Sequence, residues 1–290
     1  MANVIATFKK YIDLLDEVYT SVSLTSKLDS DSTLAKAGAN ANEIVIPKLE
    51  LQGLGVYNRN DGYVGGDATL SNETVKFNYE RGRKFNIDAM DNEETAGVAF
   101  GKLSAEFIRT KVVPELDAFR FATYAGKAGI SKAEADLTTG ADVVAAIRAA
   151  LNKMDEDEVP FENRHLYITP TLKGLIDDLD TTKSRDILNR FASINTVPQT
   201  RFYSAIDLLD GKTEGEEVGG YKKDASGKNI NFMIIEKTAL MQYPKHTVNK
   251  IFTPEQNQNA DAWVFCYRAY GLAEIYENKT AGVYLHTATT

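Results

Sequence analysis

The segment LQGLGVYNRNDGYVGGDATLSNETVKFNYERGRKFNIDAMDNEET, residues 51–95, decides how this chain is read. Val75, Phe77 and Tyr79 alternate with Lys76, Asn78 and Glu80, the pattern of a strand with one apolar face. Upstream, EIVIPKLELQGLGVY (43–57) is a second extended run, and Asn60, Asp61, Gly62, Gly65 and Gly66 lie between the two. Those turn residues tolerate positive φ. The expectation is a long two-stranded hairpin over residues 43–87. Arms of about ten residues reach about 33 Å, and a lone ribbon is marginal in water, so its faces need packing from elsewhere, another subunit included.

The end of the segment is dense in charge. Arg81, Arg83 and Lys84 sit among Glu80, Asp88, Asp91, Glu93 and Glu94. As a phosphate patch the basic residues are cancelled by the acidic ones that follow. As a catalytic pair, Glu80 and Asp88 have no neighbouring motif to give either a role. Two readings stay open: ion pairs within the chain at the base of the hairpin, or ion pairs to a neighbouring subunit. Exposed pairs contribute only about 0–1 kcal/mol each, which suits steering and register better than bulk stability.

Before the hairpin, Ile5, Phe8, Ile12, Leu15 and Tyr19 recur at helical spacing, giving one apolar face that must dock. Residues 20–42, rich in Ser, Asp, Ala and Asn, read as an extended or mobile arm. After the hairpin, Asp91 or Asn92 caps a helix in which Phe100, Leu103, Phe107, Val112, Leu116 and Phe119 share one side. Continued to Gly126 it would be about 50 Å long, with a kink or break at Pro114. Further on come a helix at 142–154, the acidic turn DEDEVPFEN, the strand HLYIT, and a helix with Pro170 in its first turn. A polar helix-like segment and an exposed loop precede the strand NFMIIE, and two closing strands are divided near Asn278. The class is α+β, without internal repeats.

Composition narrows the function. A chain of 290 residues with 43% hydrophobic and 26% charged residues can bury a core of its own. Its net charge of −8 argues against a surface that grips nucleic acid broadly. Cys266 is the single cysteine and reads as a small buried apolar side chain. His165, His246 and His286 lack metal spacing, and no nucleophile elbow, phosphate loop or dinucleotide fingerprint is present. Asp155, Glu156, Asp157 and Glu158 lack the glycine and spacing of a calcium loop and read as a solvated turn. No catalytic, cofactor or metal residue is assigned. The start, MANVIATFKKYIDLLDEVY, has no secretory pattern, and no run is long enough to cross a bilayer, so a cytosolic protein without a membrane partner is expected.

The order of arm, long hairpin, long helix, α/β lobe and closing strands resembles tailed-phage major capsid proteins of the HK97 fold. The hairpin resembles in particular a segment of capsid proteins from phages of Gram-positive bacteria. A Leu-Gly-x-Tyr-x-Arg turn matches Leu54 to Arg59, a Gly-Gly-Asp tip matches Gly65 to Asp67, and an acidic-Arg-Gly-x-x-Phe-x-Ile-Asp element matches Glu80 to Asp88. An Asp-x-x-Glu-Thr helix start matches Asp91 to Thr95, and Glu80 stands where Asp is usual. The resemblance implies an N-terminal arm (1–42), an E-loop hairpin (43–90) and a peripheral domain with a spine helix (91–137). An axial domain (138–237) and return strands of the peripheral domain (238–290) follow. It implies a structural shell protein rather than an enzyme, without cofactors. It implies that copies assemble in the bacterial cytoplasm as pentamers and hexamers into an icosahedral virion head around double-stranded DNA. Implied interface residues are Tyr57, Arg59, Arg81, Arg83, Lys84, Asp88, Asp91, Glu93 and Glu94. No room precedes the arm for a fused scaffolding segment, so a separate scaffold or none is expected, with portal and decoration proteins as further partners. An encapsulin-like nanocompartment shell is the alternative on the same fold, and a hydrolase built on scattered carboxylates is the reading from another class.

Overall fold

The computed structural model describes residues 23–30, 36–37, 42–60, 62–94, 104–179 and 182–289. The expected N-terminal helix lies outside them. The short β1 (Lys36–Ala37), β2 (Glu43–Leu51) and β3 (Ala68–Lys76) form one antiparallel sheet. The hairpin register runs from Glu43 opposite Lys76 to Leu51 opposite Ala68. The second arm is shorter than expected because the chain changes sheets at Asn78. β4 (Tyr79–Asp88) pairs with a strand almost two hundred residues downstream. The Asn78 amide imitates a strand partner there, donating to the Ala273 carbonyl at 2.7 Å and accepting from the Ala273 N–H at 3.1 Å. The apolar alternation therefore continues, but Phe77 packs at the hairpin base and Tyr79 under the helix that follows.

α1 (Ala89–Glu94) follows directly. Residues 95–103, the first part of the expected spine, lie outside the described ones. From Ser104 the chain is helical again, with a π turn at Ile108–Val112 leading into α2 (Val113–Gly126). The Val113 N–H bonds the Ile108 carbonyl, five residues back. This wider turn takes up Pro114, which brings no N–H and whose ring would press on the carbonyl four residues earlier, without breaking the helix.

β5 (Ser131–Glu134), α3 (Gly140–Glu156), β6 (Arg164–Ile168), α4 (Pro170–Asp177), α5 (Thr182–Leu188) and β7 (Ser193–Thr196) come next. The small β8 (Ile206–Leu209) and β9 (Gly220–Lys223) hairpin precedes β10 (Ile230–Glu236). β11 (Leu240–Phe252), β12 (Ala262–Ile275) and β13 (Val283–Thr287) close the chain. α3 starts at a capping box in which the Thr139 hydroxyl accepts from the Asp142 N–H at 3.2 Å and Asp142 Oδ2 accepts from the Thr139 N–H at 3.1 Å.

The five-stranded sheet has the order β5-β13-β10-β6-β7. One face carries Tyr167, Met233, Ile235 and Leu285 against Phe121, Tyr124 and Ala125 of α2. The other carries Leu166, Ile168, Phe232 and Ile234 against Val143, Ile147 and Leu151 of α3 and Leu172 and Ile176 of α4. Burial on both faces is why NFMIIE reads as an unbroken apolar run. The three-stranded sheet β11-β12-β4 packs Phe265, Tyr267 and Ala269 against Ile108, Val112 and Leu116. The helix from Ser104 to Gly126 thus serves both sheets. β13 is an inner strand of the five-stranded sheet, bonded to β10 and β5, so the expected boundary at 237/238 is crossed by the last strand.

Candidate functional site

β4 carries the charged cluster, and sheet alternation sends Arg81 and Arg83 toward the helix while Glu80 and Lys84 point away. Arg81 Nε lies 2.6 Å from Glu115 Oε1, and its Nη2 donates to the carbonyls of Leu209 at 2.7 Å and Gly220 at 3.2 Å. Arg83 Nη2 donates to the Glu217 carbonyl at 3.0 Å. The two arginines clamp the β8–β9 hairpin onto β4. Gly82 between them is required by space, since a Cβ there would meet the Tyr267 carbonyl oxygen at 2.8 Å. Gly211 has φ +74° and would place a Cβ 2.6 Å from Arg83 Nη1. Glu80 pairs with Arg268 across the sheet. For Glu80 and Arg81, the intrachain ion pairs left open by the sequence are formed, whereas Arg83 bonds a backbone carbonyl of the same chain.

The other interface candidates are scattered. Lys84 is exposed and stands opposite half-buried Cys266. Asp88 Oδ1 accepts the Met90 N–H at 2.9 Å at the start of α1, and Asp91 lies exposed in its first turn. Glu93 and Glu94 belong to α1 by backbone, and their side chains lie outside the described ones. At the hairpin tip Tyr57 meets Tyr63 edge-on with ring centroids 4.9 Å apart, and Arg59 is exposed in the turn that Asn58 and Gly62 close. Leu54, Val56, Tyr63, Val64 and Leu70 are all more than half exposed along the hairpin.

A cleft of about 1050 Å³ opens between residues 106–115, β4 and the β8–β9 hairpin. Tyr79 closes its inner end; its hydroxyl donates to Glu115 Oε1 at 3.4 Å, and burial followed by the Glu115 charge pushes its ionisation well above the usual phenol range. Asp210 at the rim accepts from the Thr213 hydroxyl at 2.7 Å and from the N–H groups of Thr213 at 2.8 Å and Lys212 at 2.7 Å. Those bonds, the Thr213 hydroxyl first, pull its pKa down to about 2.

Sequence reading missed a buried polar network. Asp117, wholly buried, accepts from the Ser23 hydroxyl at 3.1 Å, the Thr25 hydroxyl at 2.6 Å and the Leu24 N–H at 3.2 Å. Arg120 donates to the Thr25 hydroxyl at 2.8 Å and reaches Asp29 at 3.4 Å, while the Gln242 amide donates to Asp29 at 2.6 Å. Burial raises the Asp29 pKa against the opposing pull of Arg120 and Gln242. Residues 23–30 are therefore docked, with Leu28 in the core, so of the extended and mobile alternatives for residues 20–42 these eight do not follow the mobile one. The signal was present: Asp117 lies four residues from both Val113 and Phe121, on a face otherwise apolar. The acidic turn is also corrected at one position. Asp155 holds buried Arg164 at 2.6 Å and Arg190 at 2.6 Å, so it joins α3 to β6 and the end of α5 instead of being merely solvated.

The histidines stand apart: His165 Nδ1 is 2.8 Å from the Ser193 hydroxyl, and His286 stacks on Phe232. Among the described residues no group of His, Cys, Asp and Glu is placed to hold a metal, and no helix is long and apolar enough to cross a membrane.

No protein-family model matches the sequence, and no curated protein matches it. Solved structures do match in fold. A structure from Mycobacterium phage Che8 gives a TM-score of 0.61 at 10% identity, over 91% of this chain and 90% of that one. The capsid of Staphylococcus phage Andhra gives 0.54 at 11% identity, over 90% and 84%. The chain has the HK97-like capsid fold. A virus-like particle from Pyrococcus furiosus shares it, with a TM-score of 0.56 at 11% identity over 96% of this chain and 98% of that one. Nearly the whole chain takes part in each match, so the capsid fold accounts for the hairpin, both sheets and the helix between them.

Proposed function

We propose that this chain is the major shell protein of a tailed-phage head, assembling as pentamers and hexamers into an icosahedral capsid around double-stranded DNA. The observation that carries this reading is the match, along nearly the full length of both chains, to phage capsid structures. The hairpin supports it. Leu54 and Tyr63 are more than nine-tenths exposed beside Val56, Val64 and Leu70, an apolar surface that a solitary soluble chain seldom leaves uncovered. In this reading the hairpin lies on a neighbouring copy, Tyr57 and Arg59 belong to that contact, and Lys84, Asp88, Asp91, Glu93 and Glu94 face a subunit boundary. Arg81 and Arg83 act first inside the chain, fixing the angle at which β4 meets the β8–β9 hairpin. In this reading the division into arm, E-loop, peripheral and axial parts is kept as a proposal, with residues 79–88 joining the peripheral sheet and residues 131–134 and 283–287 the axial one. Portal and decoration proteins are further partners in this reading of the virion, which is built in the bacterial cytoplasm.

A cellular compartment shell is the second reading, favoured by the likeness to the virus-like particle over almost all of both chains. Negative-stain microscopy of purified protein across protein and salt concentrations tests the shell itself. Closed shells, or rings of five and six, are expected. A monomer under every condition, including coexpression with its neighbouring genes, would refute it. Nuclease-protected genomic DNA within the particles separates the head from the compartment.

A further inference from the structure

The cleft beside β4 is unevenly charged. Arg81, Arg83, Lys111, Arg201, Lys222 and Lys223 line it, against Glu106, Glu115 and Asp210. Each carboxylate is already engaged: Glu106 by Arg109 at 2.6 Å, Glu115 by Arg81, and Asp210 by Thr213 and two backbone N–H groups. Of the cations, Arg201 reaches Asp117 at 3.5 Å and Lys222 reaches Asp207 at 3.9 Å. Arg83, Lys111 and Lys223 have no carboxylate within 4.0 Å among the described residues; Lys223 instead donates to Asn229 at 3.0 Å and lies 5.7 Å from the centre of the Tyr203 ring. Three walls, the helix, β4 and β9, thus each offer one uncompensated cation in a chain whose net charge is −8. Between them stand the half-buried rings of Phe107, Tyr203 and Tyr221.

We propose that this cleft docks an acidic peptide segment of another protein, with two or three carboxylates spaced among aromatic or aliphatic side chains. The carboxylates pair with Lys111, Arg83 and Lys223, and the apolar side chains cover the rings. A nucleic acid fits less well, because its evenly spaced phosphates would meet Glu106, Glu115 and Asp210 on the same walls. The hairpin tip of a second copy, residues 52–67, carries one Arg and two Asp, too little negative charge to answer three cations. This inference does not rest on shell assembly.

The test is fluorescence anisotropy with a labelled random copolymer of Glu and Tyr on the full chain, with unassembled and assembled fractions separated by size. Saturable binding that weakens with added salt is expected. The double variant Lys111→Gln/Lys223→Gln should bind about tenfold more weakly with unchanged circular dichroism and Tm, whereas Lys250→Gln, exposed and away from the cleft, should bind normally. Arg83 is left intact because it holds the β8–β9 hairpin. Any of four results overturns the proposal: no saturable binding to the unassembled chain, equal binding by the double variant, an equal loss in Lys250→Gln, or tighter competing binding of single-stranded oligo-dT. Binding that vanishes on assembly would assign the cleft to a contact between copies and overturn it as well.

Discussion

Arg81 concentrates more of the local structure than any other member of the charged cluster, because one guanidinium joins β4, the helix and the β8–β9 hairpin. Its side chain is 24% exposed and that of Glu115 12%, so the pair is shielded enough to matter and wet enough to avoid the full cost of burying charge. Arg81→Ala should cost about 1–3 kcal/mol, read as a lower denaturation midpoint, and a double-mutant cycle with Glu115→Ala should show coupling between the two. A cycle with additive losses would remove the pairing from the account. A charge reversal at Arg81 therefore disturbs the folded chain before it disturbs any neighbour. At the same scale Asp210 gives a pH signature. Its folded pKa, about 2, lies below the ordinary 3.8, so its bonds to Lys212 and Thr213 stabilise the loop above about pH 4. They are lost as pH falls through about 2. The amide resonances of Lys212 and Thr213 should titrate with that midpoint. A midpoint near 4 would mean that the Asp210 turn is not formed.

Among the elements, the helix from Ser104 to Gly126 is the hinge of the architecture, since its first half covers the three-stranded sheet and its second half the five-stranded sheet. The stem at residues 23–30 is fastened to it through Asp117. Replacing Asp117 by Ala strands the Ser23 and Thr25 hydroxyls and the Leu24 N–H and removes the Arg201 contact, at a cost of at least about 1–3 kcal/mol. Trypsin should then cut after Lys27 well before the rest of the chain is digested; unchanged cleavage there would show that the stem is held by Leu28 alone. His286 in β13 provides a second check on an element. Burial lowers its pKa below 6.5, so the unfolded chain takes up a proton that the folded chain refuses, and stability falls as pH drops below about 6.5. His286→Phe, keeping the stack on Phe232, should flatten that part of the stability profile.

For the whole molecule, stability and assembly separate. The hairpin beyond Leu51 and Ala68 contributes exposed surface, not core, while its base packs Ile44 and Ile46 on Met241, Tyr243 and Leu272. Replacing residues 52–67 by Asn-Gly, a turn suited to a two-residue hairpin, should leave Tm within a few degrees and the chain folded. It should abolish closed particles in negative stain. Particles of normal form from this variant would exclude the hairpin from the contacts between copies.

Local pattern alone determined much of this protein. The alternation in residues 73–80, the helical spacing around Phe107 to Leu116, the helix expected from Asp142 and the unbroken apolar run of β10 are set within a few residues, because strand and helix periods are local properties. The order of those elements, with the motifs of the hairpin, was enough to place the chain near the capsid fold. Other features depended on partners far away in sequence. The switch of sheets at Asn78 exists because Ala273 is there to bond it, and β13 lies inside a sheet whose other members lie about 50 to 150 residues earlier. Arg81 chose Glu115, and Asp117 became the anchor of the stem, only once the helix lay across β4. Such choices are made by the energy of pairing buried polar groups after the chain has folded back on itself, and no window of sequence contains both partners.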